Sequence, residues 1–311
     1  MTDIWRGLRD TTLRQLRTFR AVAARGNISA AARELHLTQP AVSMQLRELE
    51  NSCGMALYER SGRGIQLTEA GREIAAAAAT VLETLRETQE RLDAMRGLRT
   101  GVLRLAVVST AKYFAPAVLA AFRNRHPGIN VQLMVGNREE VVGRLADNEC
   151  DIAIMGRPPA EVRTEGCEFA PHPLVLIASP VHRLAGRKNV PFGELAKEEF
   201  LVRERGSGTR AAMEALFGEQ GVIYHASMEV SSNETIKQAV IAGMGISLIS
   251  AHATALELST GRLVTLEVSG LPVMRAWHAL YREGKRLSPV AAAFLAELRE
   301  NGAQLISSAL R

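Results

Sequence analysis

The sequence predicts an α+β chain of more than one domain: a small helical N-terminal domain with a β-hairpin, one long helix, and a larger α/β region. Three observations predict it. Three helical spacings, each broken by turn residues, fill Leu13–Asn51. Apolar residues then step by four and three from Ile74 to Met95. From Gly97 onward β-rich runs alternate with helical ones, the pattern of strands covered by helices. The 311 residues are enough for two domains, and 47% apolar content can fill their cores. Aromatic residues make up 5%, which disfavours an all-β chain.

Leu13, Leu16, Phe19, Val22 and Ala23 mark the first helix, which Gly26-Asn27 breaks. Asn27 or Ser29 can cap a short second helix through Ala30, Ala31, Ala32 and Leu35. After a turn at His36-Leu37, Thr38 caps a third helix, with Pro40 in its first turn, where the missing N–H has no helical partner to lose. Val42, Leu46 and Leu49 share the inward face of that helix. Pro40, Met44, Arg47 and Asn51 turn the other way, with Gln39 and Ser43 at the edge. A solvated face would carry several Lys and Glu; this one carries a single Arg. Two short helices and a tight turn before such a helix make a helix-turn-helix, whose last helix enters the DNA major groove. Gln can pair bidentately with adenine and Arg with guanine. Leu57 to Thr68 reads as two short strands around a Gly/Arg turn, a wing that brings Arg60 and Arg63 to the DNA backbone or minor groove. The chain's net charge is +5, and residues 1–68 hold ten Arg against six Asp plus Glu, so about +4 of it is local to this domain, as a DNA footprint requires.

Thr68 can cap the long helix. Ile74, Ala78, Val81, Leu85, Thr88, Leu92 and Met95 form a heptad seam. Residues 69–96 would span about 42 Å. A helix this long and otherwise polar reads as a dimerisation element and spacer; the alternative is an amphipathic helix lying on its own domain.

In the remainder, strands are expected at Val102–Val108, Val131–Val135 and Asp151–Met155, with helices at Phe114–His126 and Arg138–Ala146. A second set begins at Leu174–Ala178 and runs to Ala276–Tyr281, followed by a last helix from Ser288. This predicts a mostly parallel sheet with helices on both faces. The uncharged stretch Gln238–Leu256 contains Gly243, Gly245, Ser247, Ser250 and His252, so it reads as a buried helix–turn–strand rather than a membrane span. The N-terminus lacks the apolar core of a signal peptide. Cys53, Cys150 and Cys167 are odd in number and form no C-x-x-C pair, which argues against a disulfide framework or zinc site and fits the cytoplasm.

The stretches LRQLRTFRAVAARGNISAAARELHLTQPAVSMQLRELE and LYERSGRGIQLTEAG carry a resemblance to LysR-type transcriptional regulators, which extends from Leu13 to about Ile306. Within that family, VVSTAKYFAP (107–116), DIAIMGRPP (151–159), ERGSGTR (204–210) and SSNETIKQAVIAGMGIS (231–247) look like the regulators of Calvin-cycle (RuBisCO) carbon-dioxide-fixation operons. The resemblance implies a winged helix-turn-helix over 1–68, a linker helix over 69–98, and a two-lobed, periplasmic-binding-protein-like effector domain over 99–311. Lobe I would comprise about 99–170 and 271–311, and lobe II about 171–270. It implies that Gln39, Pro40, Ser43, Gln45 and Arg47 face the operator, with Arg60 and Arg63 from the wing. Ser29, Arg33, Thr38 and Met44 complete the candidate DNA-contacting set. Met44 stands where many members have Arg, Cys53 where Leu is usual and Tyr58 where Phe is usual.

In such a domain ligands sit at the carboxyl ends of the strands. Ser109, Thr110 and Lys112 follow the first strand, Ser207, Gly208, Thr209 and Arg210 open a helix, and Ser232, Asn233 and Glu234 open another. Asn137 and Gly156 complete the candidate effector set. Free N–H groups and hydroxyls at helix starts suit an anion, with Lys112 and Arg210 as counter-charge; read singly, the Ser, Thr and Asn are ordinary caps. The five histidines from His172 to His278 show no metal spacing and read as loop or packing residues. No nucleophile–base pair accompanies a motif, so no enzyme is expected. The resemblance implies a homodimer or homotetramer on double-stranded DNA with an interrupted palindrome, an effect on RNA polymerase, and an effector such as NADPH or a phosphorylated sugar or intermediate. Regulation of another pathway, or a solute-binding or transferase-like protein, are the alternatives.

Overall fold

This computed structural model of the chain describes residues 8, 10–61, 64–95 and 101–310, without the side chains at 90, 91 and 93–95. It divides into two compact units, Met1–Leu92 and Asp93–Arg311.

In the first unit, α1 (Leu13–Arg25), α2 (Ile28–Glu34) and α3 (Gln39–Cys53) each begin at a side chain that accepts an orphaned amide: Thr12 from Gln15, Asn27 from Ala30, Thr38 from Ala41. Asn27, not Ser29, is therefore the cap of α2. Gly26 (φ 57°) and Gly54 (φ 68°) end α1 and α3 in the left-handed conformation that favours glycine. Phe19, Val22, Val42, Leu46, Leu49 and Leu57 close the core. β1 (Tyr58–Ser61) pairs antiparallel with β2 (Gly64–Leu67) to make the wing. Arg63 lies outside the described residues. Thr68 opens α4 (Glu69–Met95) by accepting from the Gly71 amide at 3.0 Å, while donating to the Ala56 carbonyl at 2.8 Å. A Cβ on Gly71 would stand 1.9 Å from the Leu57 carbonyl oxygen, so α4 can begin against the root of the wing only with glycine there. Along the seam of α4, Ala78 is buried, but Val81, Leu85 and Leu92 are 41%, 46% and 46% exposed, an apolar row left open on a single chain. The Met95 side chain lies outside the described set.

The second unit begins with β3 (Gly101–Val108), α5 (Ala115–Arg125), β4 (Ile129–Gly136), α6 (Arg138–Ala146) and β5 (Ile152–Met155). The long β6 (Thr164–Ala178) leads into β7 (Glu199–Arg203), α7 (Gly208–Glu219), β8 (His225–Val230), α8 (Asn233–Ile241), β9 (Ser247–Ser250), α9 (Ala255–Ser259) and β10 (Val264–Thr265). β11 (Val273–Arg282) then returns, and α10 (Pro289–Ala309) closes the chain. Leu103, Leu105, Phe122, Trp277, Phe294 and Leu298 centre one core. The other lobe is filled by a cluster with Leu174, Phe200, Phe217 and Leu248, and a smaller one with Ile236, Val240 and Ile249.

The main sheet runs β10-β6-β11-β5-β3-β4, with β9 also on β6. β3 is parallel to β4 and β5, but β6 is antiparallel to β9, β10 and β11, and β11 is antiparallel to β5. The mostly parallel sheet expected from the sequence is thus corrected to a mixed one. The reason is the route of the chain: β6 carries it from one lobe to the other and β11 brings it back. The two therefore run side by side in opposite directions, with the elements of the second lobe as the connection between them. In the second lobe β7 and β8 do form a parallel pair. Among the described residues no helix is long and apolar enough to cross a membrane. The uncharged stretch 238–256 is the end of α8, a turn, β9, a 3-10 turn and the start of α9.

Candidate functional site

The outward face of α3 carries the first set of candidates. Thr38, Gln39, Pro40, Met44 and Arg47 are exposed, and Ser43 is half-buried. Ser29 and Arg33 of α2 are exposed beside them, and Ser29 Oγ donates to Gln39 Oε1 at 3.2 Å. That bond holds the Gln39 amide with its NH2 free to donate. Arg60 of the wing is exposed as well. Gln45 is the correction in this set. It is 5% exposed, and its Oε1 accepts from the Thr18 hydroxyl on α1 at 2.5 Å. One residue past Met44 the helix has turned about 100°, which carries position 45 off the outer face and against α1. Gln45 ties two helices together rather than facing DNA.

The second set lies in a cleft of about 210 Å³ in the second unit, at the carboxyl ends of β3, β5 and β7. Ser109, Thr110, Asn137, Gly156, Ser207, Gly208 and Thr209 all line it. Two helices start there: Asn137 caps α6, in a capping box with Glu140, and Ser207 caps α7, accepting from the Thr209 and Arg210 amides. Their positive ends favour negative charge.

The cations are not those expected. Lys112 lies over the Tyr113 ring, 5.2 Å from its centroid, and is absent from the cleft lining. Arg210 turns outward to pair with Glu214 (2.8 Å) and Glu229 (2.5 Å), and donates to the Arg203 carbonyl. Ser232, Asn233 and Glu234 also stand off the cleft: Ser232 caps α8, Asn233 Oδ1 accepts from Arg203, and Glu234 takes the Tyr113 hydroxyl at 2.6 Å and pairs with Lys237. The start of α8 is a second layer, one side chain behind the wall.

The cleft is instead lined by Arg138, Arg157, Arg203 and Arg275. Arg203 is 3% exposed and fully engaged, with Glu204 (2.8 Å), Asn233 (2.5 Å) and, across to the other lobe, Ser109 Oγ (3.1 Å). The other three are not neutralised in this way. Arg138 donates to the carbonyls of Arg157 (2.7 Å) and Pro158 (3.3 Å), and Arg275 to that of Gly208 (3.2 Å). Among the described residues the carboxylate that reaches them within 4 Å is Glu161, 3.9 Å from Arg138 and 66% exposed. Burial, then repulsion from Arg157 and Arg138, lower the pKa of Arg275; burial, then repulsion from Arg157, lower that of Arg138 against the pull of Glu161. Three guanidiniums beside two helix N-termini make the cleft electropositive, which suits an anion.

His172 of β6 lines the same cleft, buried and stacked on Trp277. The sequence flags none of these three arginines, nor this histidine, as a cleft residue. Arg157, two residues past the end of β5, could have been found from the strand-end rule. Arg275 and His172, within strands, carry no local signal.

Comparison with known proteins decides what the two units belong to. Residues 13–72 match the family model described as "Bacterial regulatory helix-turn-helix protein, lysR family", and residues 96–303 match "LysR substrate binding domain". The chain belongs to the LysR family of bacterial regulators. Members of this family are transcriptional regulators rather than enzymes, and α2 and α3 with the wing are this member's DNA-binding module. The RuBisCO operon transcriptional regulator of Allochromatium vinosum is 50% identical over 283 residues, 91% of this chain and 94% of that protein. The regulatory domain of Synechocystis PCC6803 CcmR in complex with 2-PG is 42% identical, with a TM-score of 0.63 over 65% of this chain and 97% of that one. Full-length CbnR complexed with its target DNA is 26% identical, with a TM-score of 0.64 over 93% of this chain and 99% of that one.

Proposed function

We propose that this LysR-type regulator controls a carbon-dioxide-fixation (RuBisCO) operon in response to a small phosphorylated anion held in the cleft. The observation that carries the effector half is the cluster Arg138, Arg157 and Arg275, largely free of carboxylates, facing the N-termini of α6 and α7. A phosphate group satisfies it, with guanidiniums as bidentate donors and helix amides behind them. A cavity of about 210 Å³ favours a small phosphorylated acid, such as the 2-phosphoglycolate found on the Synechocystis relative, over NADPH. The operon half rests on the likeness to regulators of RuBisCO operons over nearly the whole chain.

On the DNA side, Gln39, Ser43, Met44 and Arg47 read base edges while Ser29, Arg33, Thr38 and Arg60 position the helix on phosphates. The open row Val81, Leu85 and Leu92 on α4 supports pairing of two chains, and a dimer or tetramer then meets an interrupted palindrome. Anion binding draws the two lobes together across the cleft, and the altered assembly bends DNA differently and changes RNA polymerase access in the cytoplasm. Footprinting on the DNA upstream of the RuBisCO genes, with and without 2-phosphoglycolate, sugar bisphosphates and NADPH, tests the reading. A protected palindrome whose extent changes with a phosphorylated acid is expected; a footprint indifferent to every phosphorylated compound overturns the effector half.

A further inference from the structure

One cleft residue is placed at a cost that the protein alone does not recover. His172 is 4% exposed, and neither Nδ1 nor Nε2 meets a hydrogen-bond partner among the described residues. Buried polar atoms are rarely left so, and where they are a reason is owed. Packing explains the ring but not its nitrogens. The imidazole stacks on Trp277 with centroids 3.8 Å apart and planes 15° from parallel, a place that a phenyl ring would fill equally well. The contrast is His252, in the same aromatic group, whose Nδ1 accepts from Trp277 Nε1 at 2.9 Å. Beside His172 Nδ1 the wall of the cleft is a residue without a side chain. Gly156 lines the cleft beside it, and a Cβ there would lie 2.8 Å from His172 Nδ1. Burial, then His252 and Arg275, push the His172 pKa down to about 3, so near neutral pH the ring carries one N–H donor and one bare acceptor nitrogen. It adds hydrogen-bonding capacity to the cleft without adding to the charge of the arginines.

We propose that His172 is a specificity-determining residue of the cleft: it hydrogen-bonds the second oxygen-bearing group of a small phosphorylated acid whose phosphate is held by Arg138, Arg157 and Arg275. The proposal rests on the reading of this cleft as the effector site. It makes His172 the element that separates a phosphorylated carboxylic acid from inorganic phosphate, which the arginines bind without discrimination.

The test titrates inorganic phosphate and 2-phosphoglycolate calorimetrically into the full-length wild type and the variants His172→Phe, His172→Gln and Arg275→Gln, and records each Tm without ligand. Phenylalanine keeps the stack on Trp277 and removes two unsatisfied nitrogens. His172→Phe is therefore expected to raise Tm by about 2–4 °C, to weaken 2-phosphoglycolate about tenfold or more, and to leave phosphate affinity unchanged within about twofold. His172→Gln, which retains a donor, recovers part of the lost affinity. Nitrogens already satisfied in the ligand-free protein give the opposite sign, a lowered Tm. A lowered Tm for His172→Phe, unchanged 2-phosphoglycolate affinity, or no recovery with glutamine overturns the proposal. Arg275→Gln losing both ligands supports the arginine cluster as the phosphate site; a wild type that binds neither compound overturns the effector reading itself, and this proposal with it.

Discussion

The outward face of α3 and the arginine-lined cleft of the same chain are built on opposite plans. The reading face comes from two neighbouring helices and a hairpin, and its centre is one turn after another of α3. Its residues share a face because 3.6 residues make a turn, so a periodic reading of the sequence finds nearly all of them. The cleft draws Ser109 from the end of β3, Arg138 from the start of α6, Arg157 from beyond β5, His172 from β6, Ser207 from the start of α7 and Arg275 from β11. These are brought together only by the order of strands in a mixed sheet. The comparison teaches that helix-borne sites announce themselves by spacing, whereas sheet-end sites announce their caps and conceal their charges.

Arg275→Gln carries the largest expected effect. Loss of a charged hydrogen bond in a half-buried site should weaken a phosphorylated effector by about 10–100-fold with operator binding intact; calorimetric titration beside a gel shift measures both. Arg47→Ala addresses the other region and should cost about 1–3 kcal/mol on the operator and much less on random duplex. Equal loss on both DNAs would make Arg47 a phosphate contact. Gln45→Ala separates the two roles that the sequence and the structure give one residue. Urea unfolding should show about 1–3 kcal/mol of lost stability, because the buried Thr18 hydroxyl loses its acceptor, while the ratio of operator to random binding stays put. A collapsed ratio at full stability would restore Gln45 to the reading face.

A smaller effect follows from His172. Its folded pKa of about 3 lies below the ordinary 6.5, so between those values the unfolded chain takes up a proton that the folded ring refuses. Stability is therefore retained above pH 6.5 and falls as the pH drops through that window; thermal melts at pH 7 and pH 5 should show His172→Phe losing less than wild type. Smallest of all, Arg210→Ala should leave the effector dose curve within about twofold of wild type, since Arg210 spends its charge on Glu214 and Glu229. A tenfold shift would return Arg210 to the cleft.

Much of the fold is legible in the sequence alone. Helix α1 and its end at Gly26, the Thr38 cap with Pro40 in the first turn of α3, the wing and the start of α4 at Thr68 are all local chemistry: an amide that needs an acceptor, or a left-handed residue that needs to lack a Cβ. Seven of the twelve residues proposed for the effector line the cleft, because strand ends and helix caps are readable one by one. Lys112 and Arg210 misled because a nearby cation has many places to go, and the Tyr113 ring in one case and two glutamates in the other claimed them.

By itself, then, the sequence determined what depends on residues within a turn or two of each other: where each helix of the reader begins, which side of α3 faces out, and that α/β alternation follows the long helix. Tertiary structure alone decided that β6 and β11 run antiparallel between the lobes, that Gln45 faces α1, and that Arg138, Arg157, Arg275 and His172 meet. The physical reason is range. Backbone hydrogen bonds and caps act over about four residues, while the cleft is an agreement among residues up to 167 apart in the chain, from Val108 to Arg275, and no local rule carries that distance.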